Sequence, residues 1–365
     1  MGQFAFMIHP LDVGSVTRQF PWARFLPESA IDGILRRLPP FKISTITGIS
    51  SDFGSAHGHF IVCPVTTRQF VDLPEEETVR RVVQTGRLAE KLGAKIVGLG
   101  AFTAVVGGSG EEAARQLDIA VTTGNSYTVA TAIEGARNAA AFMGYDLEES
   151  TLAVVGATGS IGRICSEIMA PEVGELVLVG RNGPALEDLR GDILASGDRR
   201  VSISTDVSSA LPEADVVITV SSAVDTIIEP EYLRPGAVVC DVARPRDVSE
   251  RVANARDDVL VIEGGIVSVP GEPSWSLDFG TPPGTCMACM AETMILAMEE
   301  RYEDYTLGRN LTAQQVTEID RLAARHGFEV TGFRAFEKQL SDSELEGIRS
   351  RSRENRARAG LKVPI

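Results

Sequence analysis

Two short stretches of the chain hold the residue types that chemistry needs. The first is Leu152 to Gly162, an apolar run entering glycines at positions 156, 159 and 162, followed by a helix-like segment from Arg163 to Ala170. A strand, a tight turn and a helix N-terminus in that order can hold a dinucleotide pyrophosphate. Glycine supplies unusual backbone angles and close approach, and the helix end supplies N–H groups and a positive dipole. Gly156, Thr158, Gly159, Ser160, Ile161 and Gly162 are therefore the expected cofactor-binding residues. Their spacing is GxxGxxG, not GxGxxG, so the turn departs from the standard fingerprint. The next expected strand, Glu175 to Val179, leads into Arg181 and Asn182. An enzyme using NAD usually places a carboxylate there for the ribose 2′-hydroxyl, whereas a guanidinium suits a 2′-phosphate. NADPH is the favoured cofactor.

The second stretch runs from Thr285 to Glu292 and contains Cys286 and Cys289, directly after the turn-rich Gly280 to Gly284. Both cysteines fall near the start of a helix expected over 286–302, where the dipole and N–H groups favour a thiolate. A metal site is not expected, because no second CxxC and no nearby histidine complete four ligands. A nucleophile, a redox pair and two small core residues all remain open on chemistry alone. Glu292 lies one helical turn beyond Cys289, placed to position the thiol or to cap N–H groups. Thr123, Asn125, Ser126 and Tyr127 open another helix, expected from Thr123 to Met143, and offer polar groups at its start. His57 is expected in a glycine-bearing turn before an apolar strand, as a structural histidine or a donor to a carbonyl. His326 is expected to cap a helix C-terminus.

The elements that must carry these residues alternate. Lys42 to Gly48 and His59 to Pro64 read as strands, Pro74 to Leu92 as a helix closed by Gly93, and Lys95 to Gly100 as a buried strand. After the glycine turn, strands are expected at 175–179, 215–220, 237–241 and 259–262. That alternation indicates α/β architecture with a central Rossmann-like doubly wound parallel sheet. Boundaries near 148 and 275 give an N-terminal α/β substrate domain (1–148), an NADP(H)-binding domain (149–275) and a helical C-terminal segment (276–365).

The 365 residues are 44% hydrophobic and 23% charged, an ordinary globular composition. No run of eighteen apolar residues exists, so no membrane span is expected. A net charge of −15 disfavours nucleic acid. Five scattered cysteines suit a reducing cytoplasm. Against the acidic balance, Arg349, Arg351, Arg353, Arg356, Arg358 and Lys362 form a basic tail, expected to be solvated and frayed or to dock an acidic partner.

Several stretches together resemble the long-chain acyl-[acyl-carrier-protein] reductases of cyanobacteria. They are Leu99 to Thr103, Thr122 to Thr128, Val154 to Gly162, Ala288 to Glu292, Gly308 to Asn310 and Arg325 to Phe328, in the family's order across roughly residues 40 to 330. The resemblance implies NADPH-dependent reduction of a fatty acyl thioester, from acyl carrier protein or CoA, to a fatty aldehyde through a cysteine acyl-enzyme. The family's nucleophile maps onto Cys289, not Cys286. Thr123, Asn125, Ser126, Tyr127, Glu292 and His57 become candidates for the substrate cleft, and an aldehyde-consuming enzyme becomes a candidate partner. Two rival readings are a dehydrogenase of the semialdehyde, amino-acid or shikimate type acting on a small substrate, and a non-catalytic NADPH-binding regulator.

Overall fold

The computed structural model describes residues 1–364. The chain forms two compact units, one of residues 1–127 and 266–329, the other of residues 128–265 and from Val330 on. This division differs from three consecutive segments, because the chain passes between the units three times. The segment expected as one C-terminal piece is shared: its cysteine helix packs on the first unit's sheet, and its last helix belongs to the second unit.

The first unit is built on β1 (Gly2–Ile8), β2 (Phe41–Ser51), β3 (Gly54–Val62), β4 (Ile96–Leu99) and β5 (Ala120–Thr122). The order across the sheet is β2-β3-β1-β4-β5, with Gly271–Ser274 added outside β2. β1, β3, β4 and β5 are parallel, and β2 forms an antiparallel hairpin with β3. β1, absent from the expected strands, lies at the sheet's centre. Phe4 to Met7 are at most 1% exposed, so a fully apolar run does here what alternation does in a half-buried strand. Helix α1 (Glu75–Lys91) bears three glutamates in its first turn, where the dipole favours them, and ends before Gly93 at φ +85°.

Helix α2 (Asn125–Met143) follows β5. The second unit then carries six parallel strands: β6 (Thr151–Val155), β7 (Glu175–Val179), β8 (Val201–Ser204), β9 (Val216–Thr219), β10 (Val238–Asp241) and β11 (Leu260–Glu263). Their order is β11-β10-β9-β6-β7-β8, the doubly wound arrangement, reversing direction between β6 and β9. The strand missed by sequence is β8, an edge strand whose four residues are all half-buried and two of them serines. Helices α3 (Ser160–Met169) and α4 (Gly183–Ala195) follow β6 and β7.

The cysteine segment differs from a single helix over 286–302. Thr285–Met287 is a short strand paired antiparallel with Ile266–Ser268, setting Cys286 opposite Val267. Helix α5 (Ala288–Met298) begins only afterwards. Helix α6 (Ala313–His326) packs on it and stops at Gly327, φ +85°.

The basic tail is neither frayed nor wholly solvated. Ser341 and Glu344 form a capping box for α7 (Asp342–Arg358). Arg356, 3% exposed, pairs with Asp215 at 2.9 Å and donates to Tyr145 Oη at 2.9 Å and to the Pro235 and Lys362 carbonyls. A buried guanidinium survives only when its donors are met, and these partners do that. Sequence could not separate it from its exposed neighbours, because only the register of α7 on the second unit sorts them. Among the described residues no helix is long and apolar enough to cross a membrane. Arg356→Ala leaves Asp215 with Arg234 as its remaining ion pair. The variant should lose on the order of 3 kcal/mol, read as a lowered urea midpoint of the second unit; an unchanged midpoint would show that Arg356 is not a structural anchor.

Candidate active site

Of the eleven residues of α5, ten are buried and only Cys289 is not. The helix is apolar nearly all round because it packs on β1, β3 and β4 of the first sheet and on α6. At the point of crossing, a Cβ on Gly98 would stand 2.0 Å from Thr293 Oγ1, so β4 meets α5 backbone-close. Cys289 is the second helical residue, and Met287 at the N-cap provides no side-chain cap. The positive end of the helix thus lies in the neighbourhood of this one half-buried thiol.

The other cysteines are sealed. Burial pushes the Cys63 and Cys165 thiols up to about 12 and raises Cys240 as well. Cys286 is 0% exposed, and burial, then the nearby Cys289, hold its thiol well above the ordinary value. A hydrogen bond from the Ala291 N–H to its sulfur opposes these effects without offsetting them. Cys286 is a structural residue of the helix start, and Cys289 is the thiol left available.

Glu292 is 0% exposed in the middle of this apolar helix. A buried carboxylate must be hydrogen-bonded, and its donors converge from other segments. Oε1 accepts from the Thr122 hydroxyl and, at 3.0 Å, from Thr306; Oε2 accepts from Ser126 Oγ at 2.6 Å and the Tyr127 N–H at 3.0 Å. Thr123 joins the same cluster by donating to the Thr306 carbonyl at 2.6 Å. Glu292 therefore gathers the end of β5, the first turn of α2 and the Thr306 segment around the base of Cys289. The loop joining β5 to α2 closes on the cysteine: Gly124 has φ +77°, and a Cβ there would lie 2.3 Å from Cys289 Cβ. Only glycine permits that conformation and that approach. Thr123, Ser126, Tyr127, Glu292 and Cys289 are thus brought together, with Asn125 8% exposed at the start of α2.

His57 is placed elsewhere. It lies within β3, not in a turn, because the β2–β3 hairpin bends at residues 52 and 53. Phe6 pairs in register with Gly98 and Phe60, and that face meets α5. His57, an odd-numbered residue of the same strand as Phe60, points to the opposite face from α5. His326 is a tether and not a carbonyl cap: Nδ1 meets Ser51 Oγ at 2.8 Å and Nε2 meets Glu299 at 2.7 Å.

In the second unit, the glycine turn has the form a pyrophosphate cradle requires. Gly156 ends β6 with φ +86°, and its N–H and that of Ala157 donate to the Val179 carbonyl at 2.9 and 3.1 Å, pinning the turn to β7. A Cβ on Gly162 would meet the Gly156 oxygen at 2.3 Å, so α3 packs against the turn as no other residue would allow. Gly159 is the N-cap of α3 and brings no side chain, leaving the helix end uncapped. Thr158, Ser160 and Ile161 are half-buried along this turn. Arg181 is exposed just beyond β7, with no carboxylate partner among the described residues. Asn182, beside it, is taken up by capping α4, accepting from the Ala185 N–H at 3.2 Å. Gly264 is explained by packing, since a Cβ there would fall 2.7 Å from Cys240 Sγ. These features fit a dinucleotide: an uncapped helix N-terminus, a glycine-rich turn and a cation without a carboxylate partner at the end of the second strand.

The chain has matches among known proteins, over its middle part and over most of its length. Residues 137–263, ending with the last residue of β11, match the family Shikimate / quinate 5-dehydrogenase. The long-chain acyl-[acyl-carrier-protein] reductase of Synechococcus elongatus is 29% identical over 306 residues, covering 80% of this chain and 87% of that protein. Along most of its length this chain is similar to that reductase. The aminotransferase PigE of a Serratia species is 35% identical over 242 residues, 65% of this chain; the match spans only 28% of that longer protein. Among solved structures, L-tryptophan dehydrogenase from Nostoc punctiforme aligns over 98% of this chain and 89% of its own, at 12% identity and a TM-score of 0.40. The reductase match and the dehydrogenase-family match indicate an oxidoreductase with a Rossmann-like domain for a nicotinamide cofactor.

The contact between Gly124 and Cys289 yields a direct expectation. Gly124→Ala must displace either the loop or the start of α5, so alkylation of Cys289 by iodoacetamide should change in rate by roughly tenfold or more, a shift of about 1.4 kcal/mol in the barrier. Peptide mapping of the alkylated thiol tests it; an unaltered Cys289 rate would mean that the close approach does not shape the site.

Proposed function

We propose that this protein reduces a fatty acyl thioester, carried by acyl carrier protein or CoA, to the aldehyde with NADPH, through an acyl-enzyme on Cys289. The observation that carries this reading is the exposure pattern of α5: one thiol, at the uncapped start of a buried helix, on a base organised by a buried carboxylate. Such a helix end favours the thiolate, which is the attacking form. The family resemblance assigns the same residue, and the Synechococcus relative bears the corresponding name.

The Cys289 thiolate forms a bond to the thioester carbonyl carbon, and the carbonyl electron pair moves to oxygen. First-turn N–H groups of α5 are the donors nearest to hand for that oxyanion. Its collapse breaks the bond to the carrier sulfur, which leaves as thiolate and takes up a proton, giving the Cys289 acyl-enzyme. NADPH, when bound, supplies the hydride that converts the acyl carbon to aldehyde level, becoming NADP⁺. Cys289 then departs as thiolate and is regained unchanged. Glu292, with every oxygen engaged by donors, holds the loop and helix in register and moves no proton in this scheme. Gly156, Gly159, Gly162, Thr158, Ser160 and Ile161 would hold the pyrophosphate, and Arg181 the 2′-phosphate.

Two measurements test the scheme. Incubation with acyl-CoA or acyl carrier protein thioester, without NADPH, should add the acyl mass to the Cys289 peptide. Cys289→Ala should show no adduct, and aldehyde formation should fall roughly 10³-fold or more while NADPH binding persists. Retained turnover by that variant would favour a dehydrogenase acting without a covalent step. Separately, Arg181→Ser should weaken NADPH binding by about tenfold and leave NADH binding little changed; equal loss for both nucleotides would remove Arg181 from 2′-phosphate recognition.

A further inference from the structure

The crevice of a doubly wound sheet opens where strand order reverses, here between the carboxyl ends of β6 and β9. One wall is the glycine turn after β6. The other is the segment that leaves β9 at Val220 and returns to the fold at Ile227 and Ile228. The two walls touch: a Cβ on Gly156 would lie 3.0 Å from the backbone N and Cα of Ser221. Between Ser221 and Ile227 the segment forms no helix or strand and is mostly exposed. Something must hold it against the glycine turn.

That holder is a single residue from a distant loop. Asp247 is 0% exposed. Its carboxylate accepts from the Thr219 hydroxyl, from the Ser221 N–H at 3.0 Å and from Ser221 Oγ at 2.6 Å, fastening the segment where it leaves β9. Its own backbone carbonyl accepts from the Ile227 and Ile228 N–H groups at 2.8 and 3.0 Å, fastening the other end. Ser221 Oγ also accepts from the Ala223 N–H at 3.1 Å, carrying the restraint inward. We infer that Asp247 is a positioning residue for the nucleotide, stapling both ends of the Ser221–Ile228 segment so that it forms the second wall of the cofactor crevice. The inference rests on the nicotinamide-cofactor reading and is independent of Cys289.

A buried staple of this kind depends on its charge. As a carboxylate, Asp247 accepts from all three donors; protonated, one oxygen becomes a donor and the arrangement loses an acceptor. Burial raises its carboxyl above the usual range, opposed by the bonds from Ser221 and Thr219. The neighbouring charges act in the same region. Asp241, likewise raised by burial to about 7, lies beside Arg244, and Glu263 on β11 is held by Arg246 and Arg334, with Glu337 also on Arg246. The charged staple with all its acceptors is present above that raised value; as pH falls through it the carboxyl becomes neutral and loses one acceptor, which weakens the staple.

The test is calorimetric titration of the full chain with NADP⁺ across pH 5 to 8, using wild type and Asp247→Asn. The variant keeps the shape but replaces one acceptor oxygen with a donor. Its dissociation constant should be about tenfold weaker at pH 8, the loss of a charge-assisted hydrogen bond. The variant-to-wild-type ratio should shrink as pH falls through the raised value of the Asp247 carboxyl; taking the ratio removes titration of the nucleotide's own phosphate. Ser221→Ala, which spares the backbone bond, should weaken binding about threefold, and it serves if Asp247→Asn does not fold. Wild-type affinity in both variants overturns the positioning role. Failure of wild type to bind either NADP⁺ or NAD⁺ overturns the cofactor reading and this inference with it.

Discussion

A carboxylate inside an apolar helix is the constraint on which the candidate active site depends. Glu292 cannot remain buried without donors, and α5 spares it none: apart from Cys289 its neighbours in that helix are apolar or, like Thr293, already donate to the helix's own backbone. Donors must come from outside. They come from Thr122 at the end of β5, Ser126 and Tyr127 at the start of α2, and Thr306 from a segment that bridges to β5 at Tyr305. Satisfying one charge thus determines where three chain segments meet. Their meeting point is the residue one turn earlier, Cys289, with Gly124 pressed on it because nothing larger fits.

The second unit solves a comparable problem with a different device. Its sheet is parallel, so the carboxyl ends of β6, β7, β9 and β10 all emerge on one edge, and each emerging loop must be held without closing the crevice. Backbone bonds to the Val179 carbonyl hold the glycine turn, and a buried aspartate holds the loop opposite. In each unit a buried carboxylate does its work through neighbouring hydroxyls and N–H groups, not by facing solvent. The charge makes the restraint strong, and burial makes the arrangement nearly unique, since a displaced donor would leave part of that charge unmet.

Much of this was legible in the chain and some was not. The glycine turn declared itself because its conformational need is local: strand, turn and helix are contiguous, and only glycine meets the φ of +86° at Gly156. Strands β6, β7, β9, β10 and β11 were legible for the same reason, being short apolar runs between turn signals. β1 was overlooked as an apolar run without alternation, and β8 because an edge strand with two serines shows little hydrophobic pattern. By position alone, apart from the family resemblance, Cys286 and Cys289 are equivalent; the short strand that takes Cys286 into the interior arises from pairing with Ile266–Ser268, about twenty residues away. His57 was misplaced for want of the hairpin register, which turns it to the face away from α5.

By itself the sequence determined what depends on near neighbours: the parallel α/β alternation, the cradle at Gly156 to Gly162, and a cysteine at the head of an apolar helix. The tertiary structure decided what depends on distant partners. It sealed Cys286 and left Cys289 open, made Glu292 an organiser, buried Arg356 in a tail that reads as solvated, and set Asp247 across a loop some twenty-five residues upstream. The physical reason is the range of the forces involved. Backbone propensity and hydrophobic periodicity act within a turn or two of the chain, whereas burial and the demand that every buried charge find its donors are settled only when separate segments pack.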